Sequence, residues 1–498
     1  MSPLSQRSMN RSDFPHLQRR RDFFRQAACA AVGTLSMATT IRDLRFINTA
    51  AAQGTLNDYK ALVCIFLGGG NDSNNLIIPV GSEYGNYAAV RQDLALPEAT
   101  LLPISPLNPD GHAYGLHPAL PKMQTLFNEG KAALLFNVGP LVYPMTRAQY
   151  NTVPKPPQLF SHSDQVTHWQ TSLPDQLPKT GWGGRIADLM HPQQWQLVGG
   201  VPTANSAKIA LCTSLSGANT FEVGNNFAQY HVSTSGAVTV SGVSSTQIQR
   251  MKDILALPDV NLQLNALAGV TKNAINTGAL LNTSIDNTVE PGSTKTTGQP
   301  GTWVWNTAFP NSSLGRQLKM VARLIEARTA LNMKRQIFFT EVGGYDTHAA
   351  QVGDAAAPVD TTVGTHANLL NELSEAVFAF QRAMEQINTA NAVTAFTMSD
   401  FGRTLKTNGQ GSDHAWGGHH LIIGGAVVGQ RTYGTFPVLQ VNGPDAVPLS
   451  NEGRWIPKVA VDEYSATLAK WFGVSTGDMS TVFPNIGRFA TPDLGFMG

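Results

Sequence analysis

The chain has 498 residues, of which 42% are apolar and 14% charged, with 35 Lys and Arg against 34 Asp and Glu. Such a chain is long enough to bury a large core. With no long charge run, and no low-complexity tract beyond the N-terminus, its composition excludes general disorder and a basic nucleic-acid-binding surface.

The first segment is set apart by "RRRDFFRQAACAAVGTLSMA". Arg20-Arg21-Asp22-Phe23-Phe24-Arg25 has the pattern of a twin-arginine export signal, and Ala50-Ala51-Ala52 supplies small residues for cleavage. The plainer alternative is a disordered basic tail. The apolar stretch Ala27–Met37 is about half of the ~20 residues that a membrane span needs, so no stable span is expected. Residues 1–52 are therefore read as the signal. The expected partner is the twin-arginine translocase, and the expected location is periplasmic or extracellular. Removing the segment takes away eight basic and three acidic residues and leaves a net charge of −4. Cys29 leaves with the signal. Cys64 and Cys212 remain, either as a bridge or as buried thiols.

In chain order, 61–67, 132–139, 335–341, 392–399 and 421–428 are apolar runs of strand length ending in glycine or polar turns. Such continuous runs suit a parallel sheet covered on both faces. Between them, Leu314, Leu318, Val321 and Ile325, and then Leu370, Leu373, Val377, Phe380, Met384 and Ile387, recur at helical spacing as core-facing stripes. The expected fold is α/β, a doubly wound and mostly parallel sheet flanked by helices. From about 197 to 312 the sequence turns polar and ends in "NTVEPGSTKTTGQPG". This region is read as an insertion or cap, with a flexible surface loop, on one domain spanning 53–498.

Three acids follow strand ends: Asp72 in "LGGGNDSNN", Asp346 in "EVGGYDTH" and Asp400 in "MSDFGRT". In a parallel sheet these ends share one edge, where gathered carboxylates repel unless a cation or a shared proton lies among them. His348, and Asp413, His414 and His419 in "GSDHAWGGHHLIIGG", add imidazoles. A mixed Asp/His set suits zinc, manganese or iron rather than calcium or magnesium. Any single pair of this kind is more often a surface pair than a ligand pair. Ser161 in "FSHSDQ" is either a helix N-cap or a nucleophile, with Ser73 as the competing hydroxyl. The G-x-S-x-G, Walker, H-E-x-x-H and C-x-x-C motifs are absent.

Together, "LGGGNDSNNLIIP", "YGLHPAL", "LFSHSDQ", "GWGGRIADL", "GGYDTH", "SDFGRT", "DHAWGGHHLIIGG" and "PNIGRF" resemble an exported bacterial family known as a domain of unknown function. That family in turn resembles, distantly, the alkaline phosphatase and sulfatase superfamily. The superfamily order of early Asp, nucleophile, Asp with His, Asp-His and last His is matched by Asp72, Ser161, Asp346 with His348, Asp400 and His414. Phe401 stands where the superfamily has a histidine, so His419 or Asp413 would have to replace that imidazole, or the second ion is missing. The resemblance implies one or two divalent ions, zinc or manganese, and a phosphate- or sulfate-ester substrate. It also implies attack by Ser161, with Arg403 clamping the anion. The alternative is a non-catalytic envelope or binding protein that keeps the fold with a degenerate metal site.

Overall fold

The computed structural model describes residues 56–498 other than 57, 178, 195–196, 199–200, 203–205, 228, 238–242, 256, 258–274, 286–306, 354–359 and 449, all within one unit, Thr55–Gly498. The expected export signal and the loop 287–301 lie outside the described residues. Along the chain the strands are β1 (Lys60–Leu67), β2 (Ile77–Pro79), β3 (Leu102–Ile104), β4 (Tyr114–Leu116), β5 (Ala132–Gly139), β6 (Leu197–Val198), β7 (Val201–Pro202), β8 (Cys212–Ser214), β9 (Tyr230–Ser233), β10 (Gly236–Ala237), β11 (Arg335–Val342), β12 (Val393–Ser399), β13 (Gly418–Gly424), β14 (Arg431–Gly434) and β15 (Val459–Ala460).

Alternate residues of β1 enter two different cores, as the two-residue period of a strand requires. Ala61, Val63, Ile65 and Leu67 join one cluster with Leu314, Leu318, Val321, Leu370, Leu373 and Val377 from the helices Ser313–Glu326 and Thr365–Gln386. Leu62, Cys64 and Phe66 join the other, with Ile186 and Met190 from the helix Trp182–Gln194 and Tyr464 and Leu468 from the helix Val461–Phe472. Both faces are thus covered, which is why the strands read as unbroken apolar runs. Cys64 and Cys212 are separate buried thiols.

The central sheet runs β10-β9-β8-β11-β1-β12-β13-β5-β14, with β15 also paired to β5. β8, β11, β1 and β12 are mutually parallel, whereas β13 runs antiparallel to both β12 and β5. The sheet is therefore mixed and mostly parallel, as expected. Part of the polar region takes up its edge: β8, β9 and β10, from within 197–312, extend it beyond β11. The last predicted strand begins three residues early, at Gly418, and stops at Gly424. The turn there is fixed by the Gly425 amide donating to the Ala390 carbonyl at 2.8 Å. Among the described residues no helix is long and apolar enough to cross a membrane.

Candidate metal centre

β1, β11 and β12 end side by side, with Leu67 opposite Val342 on one flank and Ser399 on the other. Segments 68–72, 343–348 and 400–403 therefore leave from one point on the sheet edge. Antiparallel β13 begins at that edge, so residues 413–414 reach it from the opposite direction. The loops pack tightly enough to require glycine. Gly69, at φ +115°, would set a Cβ 2.4 Å from the Asp346 nitrogen, and Gly70, at φ +86°, would set one 2.5 Å from the Phe401 ring. The glycines thus provide clearance for neighbouring loops.

Three imidazoles meet here in the same state. The Nδ1 atoms of His162, His348 and His414 face Asp400 Oδ2 at 2.7 Å, Asp413 Oδ1 at 2.7 Å and the Phe160 carbonyl at 2.8 Å. Each of these oxygens accepts only, so each Nδ1 carries a proton and each Nε2 is the ring atom left to face the centre. The Nε2 atoms of His348, His414 and His162 lie 3.3, 3.4 and 3.5 Å from Asp346 Oδ1. His162 Nε2 is buried without a partner. His348 Nε2 and His414 Nε2 are 2.7 Å apart, a separation at which two lone pairs repel unless a proton or cation intervenes. Burial holds the His414 imidazole below its ordinary pKa, despite the opposing Phe160 carbonyl, and so keeps it neutral.

The donor atoms of His162, Asp346 and His414 lie within 4.8 Å of one another, with His348 Nε2 beside Asp346 and His414, and this mixed nitrogen and carboxylate set, with oxygens orienting the far side of each ring, suits a zinc-type ion. Partial burial alone would raise the Asp346 carboxyl. The hydrogen bond and charge of Arg403 outweigh that and hold it ionised. Arg403 is fully buried. It donates from Nε to the Gly70 carbonyl at 2.9 Å, from Nη1 to Ser412 at 2.7 Å, and from Nη2 to Gly69 at 2.5 Å and to Asp346. It therefore ties three loops together and has no free face with which to clamp a substrate anion.

Of the sequence-predicted ligands, Asp346, His348 and His414 come together. Asp400 and Asp413 stand behind them as hydrogen-bond acceptors for imidazoles. Asp72 does not join them: it is fully buried, ion-paired with Arg91, and also accepts from Gln351 and the Asn74 amide. The positive group facing this early acid is thus an arginine of the same chain. His419 is also elsewhere, with its ring packed against those of Phe136 and Phe436 and its Nδ1 accepting from the Asn137 amide. Burial pushes it down to about 3. Phe401 packs its ring 4.8 Å from that of His162 and 4.6 Å from that of His414, filling the space beside them with carbon.

Ser161 precedes the helix His162–Thr171, but its hydroxyl makes no capping bond to the helix and donates to Asp164 at 2.6 Å. The residue that reaches the centre is its neighbour His162. The signal for it was present in "FSHSDQ", a histidine at the first position of a helix entering the sheet edge. Beside the centre lies a cleft of about 530 Å³ whose lining includes His162, Gln170, Asn219, Glu341, Asp346 and Asp400. Among the described residues, no Lys, Arg or Ser lines it. Burial and the Asp400 carboxylate, against a hydrogen bond from Ser216, lift the Glu341 carboxyl above the usual range.

A family model described as "Protein of unknown function (DUF1501)" matches residues 113–446. The chain belongs to this family. All four atoms of the candidate centre in this DUF1501 protein, from His162, Asp346, His348 and His414, fall within the matched region. No curated protein matches the chain. Solved structures similar to it include Ps i-CgsB in complex with k-i-k-neocarrahexaose, at 11% identity, with 88% of this chain and 78% of that one covered and a TM-score of 0.33. The C-terminal periplasmic domain of EcEptC from Escherichia coli, in complex with zinc, is 10% identical over 85% of this chain and 84% of that one, with a TM-score of 0.31. The PsFucS1 sulfatase from Pseudoalteromonas sp. is 10% identical over 91% and 74%, with a TM-score of 0.30. At this level of likeness the fold of the DUF1501 protein rests on its own strand order.

Proposed function

We propose that this is an exported protein in which His162, His348, His414 and Asp346 hold one divalent ion, zinc or manganese, and that it hydrolyses phosphate or sulfate esters. The observation that carries the reading is the common arrangement of the three imidazoles: each Nδ1 is committed to an acceptor, and each Nε2 faces Asp346 Oδ1. A bound ion of this kind supplies Lewis-acid stabilisation of charge developing on an ester oxygen. Asp400 and Asp413 hold the His162 and His348 rings in the tautomer that leaves Nε2 open. Glu341 faces the same cleft, and burial, with the Asp400 carboxylate, favours the protonated form that a general acid to the departing oxygen requires. Because the cleft is lined by carboxylates and not by Lys or Arg, an anionic ester is repelled from it unless a cation occupies the histidine cluster.

The order of motifs, resembling the alkaline phosphatase and sulfatase superfamily, supports ester chemistry. The tethered Ser161 hydroxyl favours water over serine as the attacking group. One observation favours a binding role without turnover: Phe401, an apolar ring with no metal-ligating atom, packs against His162 and His414. Elemental analysis of the purified protein, with aryl phosphate and sulfate mono- and diesters as substrates, tests both readings. One ion per chain, lost in Asp346→Asn together with turnover, supports the hydrolase. An ion without turnover on any ester supports the binding role. The same ion content in Asp346→Asn as in the wild type removes the metal assignment.

A further inference from the structure

The buried acid Asp72 does not reach the candidate centre, yet it is connected to it through a single amide. Gln351 Nε2 donates to Asp72 Oδ2 at 2.5 Å. Gln351 Oε1 accepts from Ser412 Oγ at 2.6 Å and from Thr347 Oγ1 at 3.3 Å. Thr347 lies between Asp346 and His348, and Ser412 directly precedes Asp413 and His414. One oxygen atom thus joins the two loops that carry the imidazoles of His348 and His414 and the Asp346 carboxylate. Asp72, Gln351 and Ser412 are fully buried and Thr347 nearly so, so water does not substitute for these bonds.

The direction of each bond is fixed by the one before it. Arg91 faces Asp72 and keeps it ionised against the pull of burial, so that Asp72 only accepts. An accepting Asp72 turns the Gln351 amide so that its nitrogen points inward and its oxygen outward. That oxygen is then the only atom of the amide able to receive both hydroxyls. A carboxylate or an apolar side chain at 351 cannot serve both ends at once.

Resting on the metal-centre reading above, we propose that Gln351, oriented by the Asp72–Arg91 pair, is a positioning residue that sets the spacing between Asp346 and His348 on one loop and His414 on the other, and so the affinity of the centre for its ion. Outer partners of this sort act on metal affinity by ~10–100-fold when removed. A purely structural Gln351 would lower thermal stability and leave the centre as it was.

The test uses the full chain, stripped of metal and titrated with Co(II), with the visible ligand-field bands and the dissociation constant as readouts. The thermal midpoint of each metal-free protein is recorded alongside. Gln351→Leu is expected to bind Co(II) ~10–100-fold more weakly with altered bands. Ser412→Ala removes one hydroxyl, so it keeps the test alive should Gln351→Leu not fold, and is expected to show a smaller loss of about threefold or more. Wild-type affinity and bands in the folded variants, whatever their thermal midpoints, overturn the proposal. A wild-type chain that shows no Co(II) bands, or an Asp346→Asn variant that keeps them, overturns the metal centre itself and the positioning role with it.

Discussion

Arg91→Met isolates the question of what neutralises the early acid. The Arg91 guanidinium is fully buried and donates to Asn75 Oδ1 at 3.1 Å, to the Thr404 and Leu405 carbonyls at 3.0 and 3.2 Å, and to Asp72. Methionine fills much of the volume and leaves a buried carboxylate without its counter-charge, which costs about 3–5 kcal/mol. Against a total stability on the order of 5–15 kcal/mol this is a large loss. Burial alone would raise the Asp72 carboxyl, and Arg91 outweighs it, so the folded value lies below the unfolded one of ~3.9. The pair's contribution is therefore present above ~3.9 and fades as pH falls through the folded value. In Arg91→Met burial is opposed only by the bonds from Gln351 and the Asn74 amide, and the carboxyl rises, so the deficit is largest at neutral pH and narrows in acid. Urea unfolding at pH 7 and pH 4.5 reads both numbers. Adding Asp72→Asn to Arg91→Met should restore most of the loss at pH 7. A single variant within about 1 kcal/mol of wild type, or a double variant no better than the single, refutes the reasoning.

Ser161→Ala is expected to keep turnover within about threefold of wild type, as its hydroxyl serves Asp164; loss of all ester hydrolysis with metal retained would make it the nucleophile after all. Glu341→Gln is expected to lower kcat by about 100-fold without loss of metal and to remove the decline of activity at the alkaline end, where the raised Glu341 carboxyl gives up its proton; an unchanged pH profile counts against it. Glu222 is fully buried and its carboxyl is pushed up to about 8 by burial, against a hydrogen bond from Asn219. Its folded value lies above the unfolded one of ~4.3, so wild type loses about 1.4 kcal/mol per pH unit from this group as pH rises between the two. The stability of Glu222→Gln relative to wild type should therefore climb from pH 5 to pH 8, and a pH-independent difference in unfolding free energy would contradict this.

The strands were legible because β1, β5, β11 and β12 are buried on both faces and leave continuous apolar runs at their strand ends. The direction of β13 was not, since an antiparallel strand buried on both faces has the same composition as a parallel one. The short β8, β9 and β10 fall in polar sequence, where pairing at a sheet edge demands little apolar surface. At the centre, Asp346, His348 and His414 were found by their position at strand ends. Asp72 stands in the same position and was read the same way, because nothing near it in sequence announces that Arg91, nineteen residues on, folds back against it. His162 was passed over for Ser161 because the hydroxyl was the expected nucleophile. Which of two adjacent side chains turns inward depends on the path of the helix start, and that is set by tertiary packing.

X-ray diffraction from crystals of the purified protein, recorded on either side of the absorption edge of the metal found by elemental analysis, tests the central claim most directly. The account predicts one anomalous peak, bonded to the Nε2 atoms of His162, His348 and His414 and to Asp346, at about 2.0–2.2 Å as for zinc. A peak at Asp72 or His419, or a fully occupied ion lacking the imidazoles of His162, His348 and His414, would contradict it.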